Sequence, residues 1–125
     1  MSRSLSELLT DLNEAVAAAA QIVRLGKERW DTDPIVHLAG EAVVGRIGDV
    51  ATKLPTQLIQ ETPQVPWDEV RGMRIIVDHL YHAVDYEILW ETLRDDLPEL
   101  GLAMERWRSR HPEISIEMEG PGLGL

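Results

Sequence analysis

The residues best suited to chemistry lie in one short stretch of the chain. Positions 71–82 supply two guanidiniums, a carboxylate, two imidazoles and a phenol, from Arg71, Arg74, Asp78, His79, Tyr81 and His82. An imidazole, with a pKa of about 6.5, can give or take a proton near neutrality, and a guanidinium offers two fixed donors to phosphate oxygens. Such groups could transfer protons and stabilise negative charge on a phosphate.

The spacing of this stretch is that of a helix. Apolar residues recur at intervals of three and four, at Val70, Met73, Val77 and Leu80. The pattern predicts a helix that enters after Pro66-Trp67, ends near His82 and buries one face. Arg74 and His79 are five residues apart, so their side chains diverge by roughly 140° around the axis. A cleft, or a second copy of the helix in a two-fold dimer, could bring both groups to one small substrate.

The same residues also permit a purely structural interpretation. Arg74 and Asp78 lie one helical turn apart and can form a surface ion pair worth roughly a few tenths of a kcal/mol. His79 can be a half-buried helix residue, and Tyr81 can be a packing aromatic with its hydroxyl in water. Spacing alone does not distinguish this interpretation from a catalytic site.

A series of motifs runs through this stretch and continues beyond it. The chain reads Val-Pro-Trp-Asp-Glu-Val-Arg-Gly-Met-Arg over residues 65–74, then His79-Leu80-Tyr81, then Ala83-Val84-Asp85-Tyr86-Glu87-Ile88-Leu89-Trp90, then Asp96-Leu97-Pro98-Glu99. The series resembles the HepT family, the ribonuclease toxins of the HEPN superfamily. Upstream, Arg46-Ile47-Gly48-Asp49-Val50-Ala51 is similar to that family's Ile-Gly-Glu-Ala segment, with aspartate in place of glutamate. The resemblance covers about residues 5–105.

The resemblance implies an all-α, four- to five-helix up-down bundle of HEPN type that forms a homodimer. It also implies a metal-independent RNA endonuclease toxin without a cofactor, neutralised by an MNT-type nucleotidyltransferase antitoxin. By this likeness Arg74 and His79 are the catalytic pair, and Tyr81 is the tyrosine that the antitoxin can AMPylate. The candidate supporting residues are Asp78, Arg71 and His82. The expected partners are RNA, the antitoxin and a second copy of the chain, with neither DNA nor a membrane.

One position departs from the family pattern. The family usually carries a polar residue, often Asn or Asp, directly after the arginine, where this chain has Ile75. Asp78, directly before the histidine, is also less usual. The alternative function is therefore a catalytically weak or inactive HEPN-like dimeric module that acts as a scaffold for a nucleotidyltransferase.

Composition narrows the class of protein. A length of 125 residues suits one domain with one core, and the absence of cysteine excludes disulfides and thiol chemistry. We expect a cytoplasmic protein, because neither a signal peptide nor a membrane span is predicted. The formal net charge of -10 predicts low non-specific affinity for nucleic acid, so RNA would bind through a local basic patch.

Capping signals place the other helices. Ser4 and Glu7 form a capping box, which predicts a first helix to about Trp30. Asp33-Pro34 opens a second helix that ends at Pro55. Residues 55–66 form a connection with a short helical turn at 57–60, and this connection could shape a cleft beside the motif.

The C-terminal part of the chain is predicted in the same way. Asp85 caps a further helix, and its inward residues are predicted to be Ile88, Leu89 and Leu93. Asp96-Leu97-Pro98 restarts a last helix. Residues 1–110 then form the helical domain, and residues 111–125 form a flexible tail.

Packing expectations complete the analysis. The second helix contains Gly40, Gly45 and Gly48, which indicate either close packing by another helix or by the dimer mate, or simple looseness of the backbone. Trp67 and Trp90 are predicted to be buried core residues. Two metal sites are weak alternatives, one at His37 and Glu41 and the other at His79, His82 and Asp85.

Overall fold

The computed structural model describes residues 3–79 and 84–114, apart from the side chains of residues 75–79. Within these residues the helices are α1 Leu5–Leu25, α2 Lys27–Thr32, α3 Pro34–Lys53, α4 Thr56–Glu61, α5 Trp67–His79, α6 Tyr86–Glu91 and α7 Leu97–Ser109. A π-helical segment, Thr92–Asp96, joins α6 to α7. The described residues contain no strand, which confirms the all-α prediction. None of the described helices is long and apolar enough to cross a membrane.

The first helix begins as predicted and ends earlier. The Ser4 hydroxyl accepts from the Glu7 amide at 3.2 Å, and the Glu7 carboxylate accepts from the Ser4 amide at 3.1 Å. The predicted continuation to Trp30 was wrong, because Gly26 adopts a φ of 98° and ends α1. That conformation is open to glycine and strained for other residues. The chain continues after Gly26 as α2, and Trp30 of α2 is fully buried in the core.

The longest helices pack around α3. Its start is fixed by Asp33, whose carboxylate accepts from the Ile35 amide at 2.9 Å, with Pro34 in the first turn. It ends at Lys53, just before Pro55, as predicted. α3 packs along α1 and along α5, and α1 also packs against α7. The core fills the space between these helices, and the short α4 lies in the predicted connection.

α6 is capped as predicted, but one of its predicted inward residues is exposed. Asp85 Oδ1 accepts from the amides of Glu87 and Ile88 at 2.9 and 3.2 Å. Leu89 and Leu93 are buried, whereas the prediction of an inward Ile88 was wrong, because its side chain is 60% exposed. Leu89 and Leu93 lie four residues apart on one face, and Ile88 falls roughly 140° from Leu93 in regular helical geometry.

The predicted restart at Asp96 does not occur. Asp96 has helical backbone angles and makes no side-chain cap, and the helix runs on through the π-helical segment. There the Leu97 amide donates to the carbonyl of Thr92, five residues back. Pro98 has no N–H to donate and would clash with the carbonyl four residues before it. The wider turn accommodates the proline without ending the helix.

Tryptophans anchor the core through their indole N–H groups. Trp67 and Trp90 are buried, which confirms their prediction as core residues. The Trp67 indole donates to the hydroxyl of the buried Thr62 at 2.9 Å. The Trp30 indole donates to the carbonyl of Tyr86 at 2.9 Å, which joins α2 to α6. The Trp30 and Trp67 rings therefore fill the core and have their polar groups satisfied.

A polar cluster joins α4 to the end of α7. The Trp107 indole donates to Glu61 Oε1 at 2.9 Å, and His111 Nε2 lies 3.2 Å from the same oxygen. The His111 ring stacks on Trp107 at 3.9 Å, and its Nδ1 lies 2.8 Å from the Trp107 carbonyl oxygen. The two ring nitrogens therefore lie between the Glu61 carboxylate and the Trp107 carbonyl. Residues 115–125 lie outside the described residues, and the domain boundary after 110 stays a prediction.

This cluster predicts a pH-dependent contribution from Glu61. The hydrogen bond from Trp107 holds the Glu61 pKa below its ordinary 4.5, and the Gln57 amide adds to the shift. The carboxylate therefore stabilises the fold above about pH 4.5, and this stabilisation is lost as the pH falls through the lower folded pKa. We expect Glu61→Gln to lower the free energy of unfolding at about pH 7 and to match the wild type near pH 3.

Urea unfolding at several pH values measures this difference. Glu105→Gln, which changes an exposed carboxylate on α7, serves as the matched control. A Glu61→Gln effect of the same size at every pH would contradict the prediction.

Candidate functional site

The candidate catalytic residues are arranged along α5. The helix starts directly after Pro66 and carries Asp68 and Glu69 in its first turn, where carboxylates complement the helix dipole. It contains both Arg74 and His79. Five residues of α-helix separate their Cα atoms by a rise of roughly 7.5 Å and a rotation of roughly 140°. The predicted end of this helix near His82 falls outside the described residues.

The backbone of Arg74 is held against α3 by a glycine. A Cβ atom added to Gly48 would lie 3.1 Å from the Arg74 Cα and Cβ and still closer to its amide nitrogen. Contacts this short are not tolerated, so only glycine allows α5 to approach α3 so closely. Gly40 shows the same feature, since a Cβ there would lie 2.7 Å from the Trp30 ring. The prediction of close packing is thus confirmed at Gly40 and Gly48.

Two arginines on α5 make up the described part of the site. Arg74 is exposed, so its guanidinium is accessible to a phosphate. Arg71 is half-buried, and its Nη1 lies 3.6 Å from a carboxylate oxygen of the fully exposed Asp68. A surface ion pair of this length contributes little and is easily exchanged for another anion. Val70, one helical turn before Arg74, is buried and Met73 is half-buried, as the predicted apolar stripe requires.

The remaining predicted site residues are only partly described. Asp78 and His79 are placed on α5 through their backbone. Tyr81 and His82 lie outside the described residues, as do two members of the predicted stripe, the Val77 side chain and Leu80.

A buried polar contact that the sequence did not predict ties α6 to α3. The Tyr86 hydroxyl donates to Glu41 Oε2 at 2.8 Å, and the His37 ring stacks on the Tyr86 ring at 3.9 Å. The hydrogen bond to the carboxylate is the main reason that the pKa of Tyr86 is raised. Both α5 and the start of α6 are thus attached to α3, one through Gly48 and the other through Glu41.

The structure describes the first predicted metal site fully and the second only in part. Glu41 binds the Tyr86 hydroxyl, and His37 lies against two aromatic rings, so this pair has a structural role. Asp85 uses its carboxylate to cap α6. No three His, Asp or Glu side chains form a possible metal site among the described residues. His79 and His82, which belong to the second alternative, are not covered by that statement.

The chain is similar to a known protein family and to several named proteins. The family described as "Ribonuclease HepT-like" matches residues 12–107. A protein of Thermococcus cleftensis named probable ribonuclease HepT is 29% identical over 109 residues, which cover 86% of this chain and 99% of the relative. A protein of Caldanaerobacter subterraneus subsp. tengcongensis, provisionally named an RNase, is 32% identical over 89 residues, which cover 71% of this chain and 80% of the relative. No solved structure matches the chain significantly.

The contact of Gly48 with Arg74 yields a prediction about stability. We expect Gly48→Ala to lower the free energy of unfolding by roughly 1–3 kcal/mol, because the added methyl group must push α5 away from α3. Gly72→Ala is the matched control. A Cβ there has no described atom within 4 Å, and alanine favours the helix by up to about 1 kcal/mol. Chemical denaturation of both variants measures the difference, and a Gly48→Ala protein as stable as Gly72→Ala would contradict it.

Proposed function

The chain belongs to the HepT-like ribonuclease family, and on that premise we propose that it is an endoribonuclease that cleaves RNA without a metal ion. The observation that carries the proposal is the position of Arg74. Its backbone is fixed against Gly48, its side chain is exposed, and it lies five residues before His79 on the same helix. The family match spans all of these residues.

The proposed reaction uses the two side chains in different ways. His79 acts as general base or acid, and Arg74 donates to the oxygens of the phosphorane. The 2′-oxygen attacks phosphorus, its proton passes to the base, and the bond to the 5′-oxygen breaks as that oxygen takes a proton. The products are a 2′,3′-cyclic phosphate and a 5′-hydroxyl. Base and acid act on opposite sides of phosphorus, so two imidazoles serve the reaction better than one.

A homodimer would supply the second imidazole and a second guanidinium. In this proposal residues 1–110 form a HEPN-type bundle, and two copies bring their α5 helices together. Exposed apolar side chains support such an interface. Ile35 and Leu38 on α3 are 75% and 65% exposed, and Ile88 on α6 is 60% exposed. The stacking of His37 on Tyr86 brings these two helix starts together, at the end of the connection that follows His79.

The charge of the protein limits how RNA can bind. With a formal net charge of -10, the surface as a whole repels a polyanion. Arg71 and Arg74 provide the local basic patch, since they lie on one helix and neither is deeply buried. In this proposal Arg71 orients the phosphate, Asp78 and His82 support the site, and affinity falls steeply with added salt.

The first prediction for this function concerns the catalytic pair. We expect Arg74→Ala and His79→Ala each to reduce RNA cleavage by at least about 100-fold, because each removes a group that acts in the transition state. Cleavage of a fluorescently labelled single-stranded RNA in the presence of EDTA measures the rate. Expression of each variant alone should also relieve growth inhibition.

Two variants control for changes of surface charge. Arg94→Ala removes an exposed arginine paired with its neighbour Asp95, and His111→Gln removes a histidine at the far end of α7. Circular dichroism and sedimentation must show that all four variants are folded and keep the wild-type oligomeric state. Undiminished cleavage by His79→Ala would remove the assignment.

A mixing experiment tests whether the site is shared between subunits. We expect the inactive Arg74→Ala and His79→Ala proteins, refolded together, to regain part of the wild-type activity, at most about a quarter. Half of the molecules would then be mixed dimers, and each would retain one Arg74 and one His79 on different subunits, which can act together only in a shared cleft. Mixing either variant with itself provides the baseline. No recovery, with mixed dimers confirmed by affinity tags, would indicate that each site lies within one chain.

We further propose that this toxin is cytoplasmic and is neutralised by an MNT-type nucleotidyltransferase through AMPylation of Tyr81. In this proposal the phosphate added at Tyr81, two residues after His79 in the sequence, keeps RNA phosphate out of the site. We expect co-expression with a neighbouring nucleotidyltransferase to add the mass of one AMP at Tyr81, as measured by peptide mass spectrometry. The Tyr81→Phe protein should remain unmodified and toxic. An unmodified tyrosine in a neutralised complex would instead indicate inhibition by contact.

Ile75 favours a second candidate function. An apolar residue directly after Arg74 departs from the usual polar one, and the acidic surface also weakens the case for RNA binding. The second candidate is a catalytically weak dimeric scaffold for the nucleotidyltransferase. The two functions are distinguished by expressing the chain alone, since only the nuclease reduces RNA integrity without its partner.

A further inference from the structure

A groove lies between α5 and α7, away from the close contact of α5 with α3. α5 packs along α3, and α7 packs against α1, which leaves a cavity of about 380 Å³ on the side where α5 faces α7. The floor of the cavity is apolar. It is formed by Val65, Val70, Met73, Leu97, Leu100 and Ala103. Cavities of this volume and polarity are typical binding sites.

The rim of the groove is charged and mostly negative. Glu69 lies on one wall, Asp96 and Glu99 lie on the other, and all three carboxylates are on exposed residues. Arg106 is the one cationic residue among the lining residues that the structure describes. Leu102, also in the lining, is 49% exposed and extends the apolar surface toward solvent.

We propose that this groove binds an amphipathic helix from a basic partner protein. A helix that lies between two others buries apolar side chains at intervals of three and four, which the apolar floor would accept. Lys and Arg on the flanks of that helix would pair with the three rim carboxylates. Charge complementarity sets the rate and the specificity of such binding, and burial of apolar surface provides most of the affinity.

Charge argues against the other possible occupants. A second copy that docked symmetrically through this groove would bring its own acidic rim against the three carboxylates. Residues 115–125 contain Glu117 and Glu119 and neither lysine nor arginine, so this segment has the same disadvantage. RNA phosphates would meet the same three carboxylates. A basic partner is the occupant whose charge matches.

The groove is also adjacent to the candidate catalytic helix. Met73 lines it, and the next residue is Arg74, which contacts α3 on another side of α5. A bound helix would therefore touch the same helix as the proposed nuclease site without covering Arg74. The binding proposal does not depend on the nuclease assignment, because it is tested without RNA.

The test uses the full-length protein and a synthetic probe. The probe is a fluorescein-labelled Leu/Lys peptide of about 15 residues with leucines at i, i+3, i+4 and i+7, long enough to form a helix on binding. Fluorescence anisotropy gives the Kd, and amide NMR shifts show where the peptide binds. We expect the largest shifts in the cavity lining. We also expect Leu102→Ser and Glu99→Lys each to weaken binding by about tenfold.

Two control variants match these changes elsewhere on the surface. Leu25→Ser alters a leucine that is 50% exposed, and Glu28→Lys reverses an exposed carboxylate in the first turn of α2, as Glu99 is in the first turn of α7. Both should bind the peptide like the wild type. Thermal unfolding of all four variants confirms that they are folded.

Several outcomes would overturn the proposal. One is an equal loss of affinity in the groove variants and the control variants, which would indicate general attraction to an acidic protein. Another is a change in oligomeric state caused by Leu102→Ser without peptide, which would assign the groove to a second copy. NMR contacts between residues 115–125 and the groove in the free protein would assign it to the chain's own tail. Shifts that avoid the lining would also exclude it.

Discussion

The contact between Gly48 and the backbone of Arg74 sets the distance between α3 and α5, and the candidate site depends on that distance. Only the hydrogen atom of a glycine fits at this position, because a Cβ atom would collide with the backbone of Arg74. The two helices therefore meet backbone to backbone, and Arg74 cannot move along or away from α3 without breaking this contact. A glycine costs about 1 kcal/mol in a helix relative to alanine, and here that cost is offset by the packing it permits. The reactive residues thus lie on a helix that is held in place by main-chain contact, while their side chains remain at the surface.

α3 acts as the common support for the elements around the site. It holds α5 through Gly48 and the start of α6 through the hydrogen bond between Glu41 and Tyr86. In the sequence these two attachments lie before and after Tyr81 and His82, and both are made to the same helix. The aromatic rings of Trp30, His37 and Tyr86 fill the space beside the second attachment.

Features of the fold that depend on neighbouring residues could be predicted from the sequence, whereas features that depend on contacts between distant residues could not. Ser4, Asp33 and Asp85 act on amides two or three residues away, so their sequence patterns sufficed to place three helix starts. The sequence around Gly26 did not show that this glycine ends a helix, because a glycine can also be tolerated within one. Its positive φ is set by the way that α2 packs, with Trp30 in the core. Tyr86 and Glu41 are 45 residues apart, and no local pattern indicates their hydrogen bond. The arginine and histidine spacing was read correctly as helical, whereas the groove beside Met73 depends on how α7 packs and was not foreseen.

The π-helical segment between α6 and α7 acts as a phase shift in one long helical run. It inserts a wider turn, which rotates everything after it relative to a regular helix by the angle of about one residue, or roughly 100°. Core residues lie on both sides of the segment, since Leu89 and Trp90 before it and Leu97, Met104 and Trp107 after it are all buried. The chain therefore absorbs the wider turn between two stretches that both pack on the core. Deletion of one residue from Thr92–Asp96 would rotate the two stretches relative to each other and change which side chains of α7 face the core.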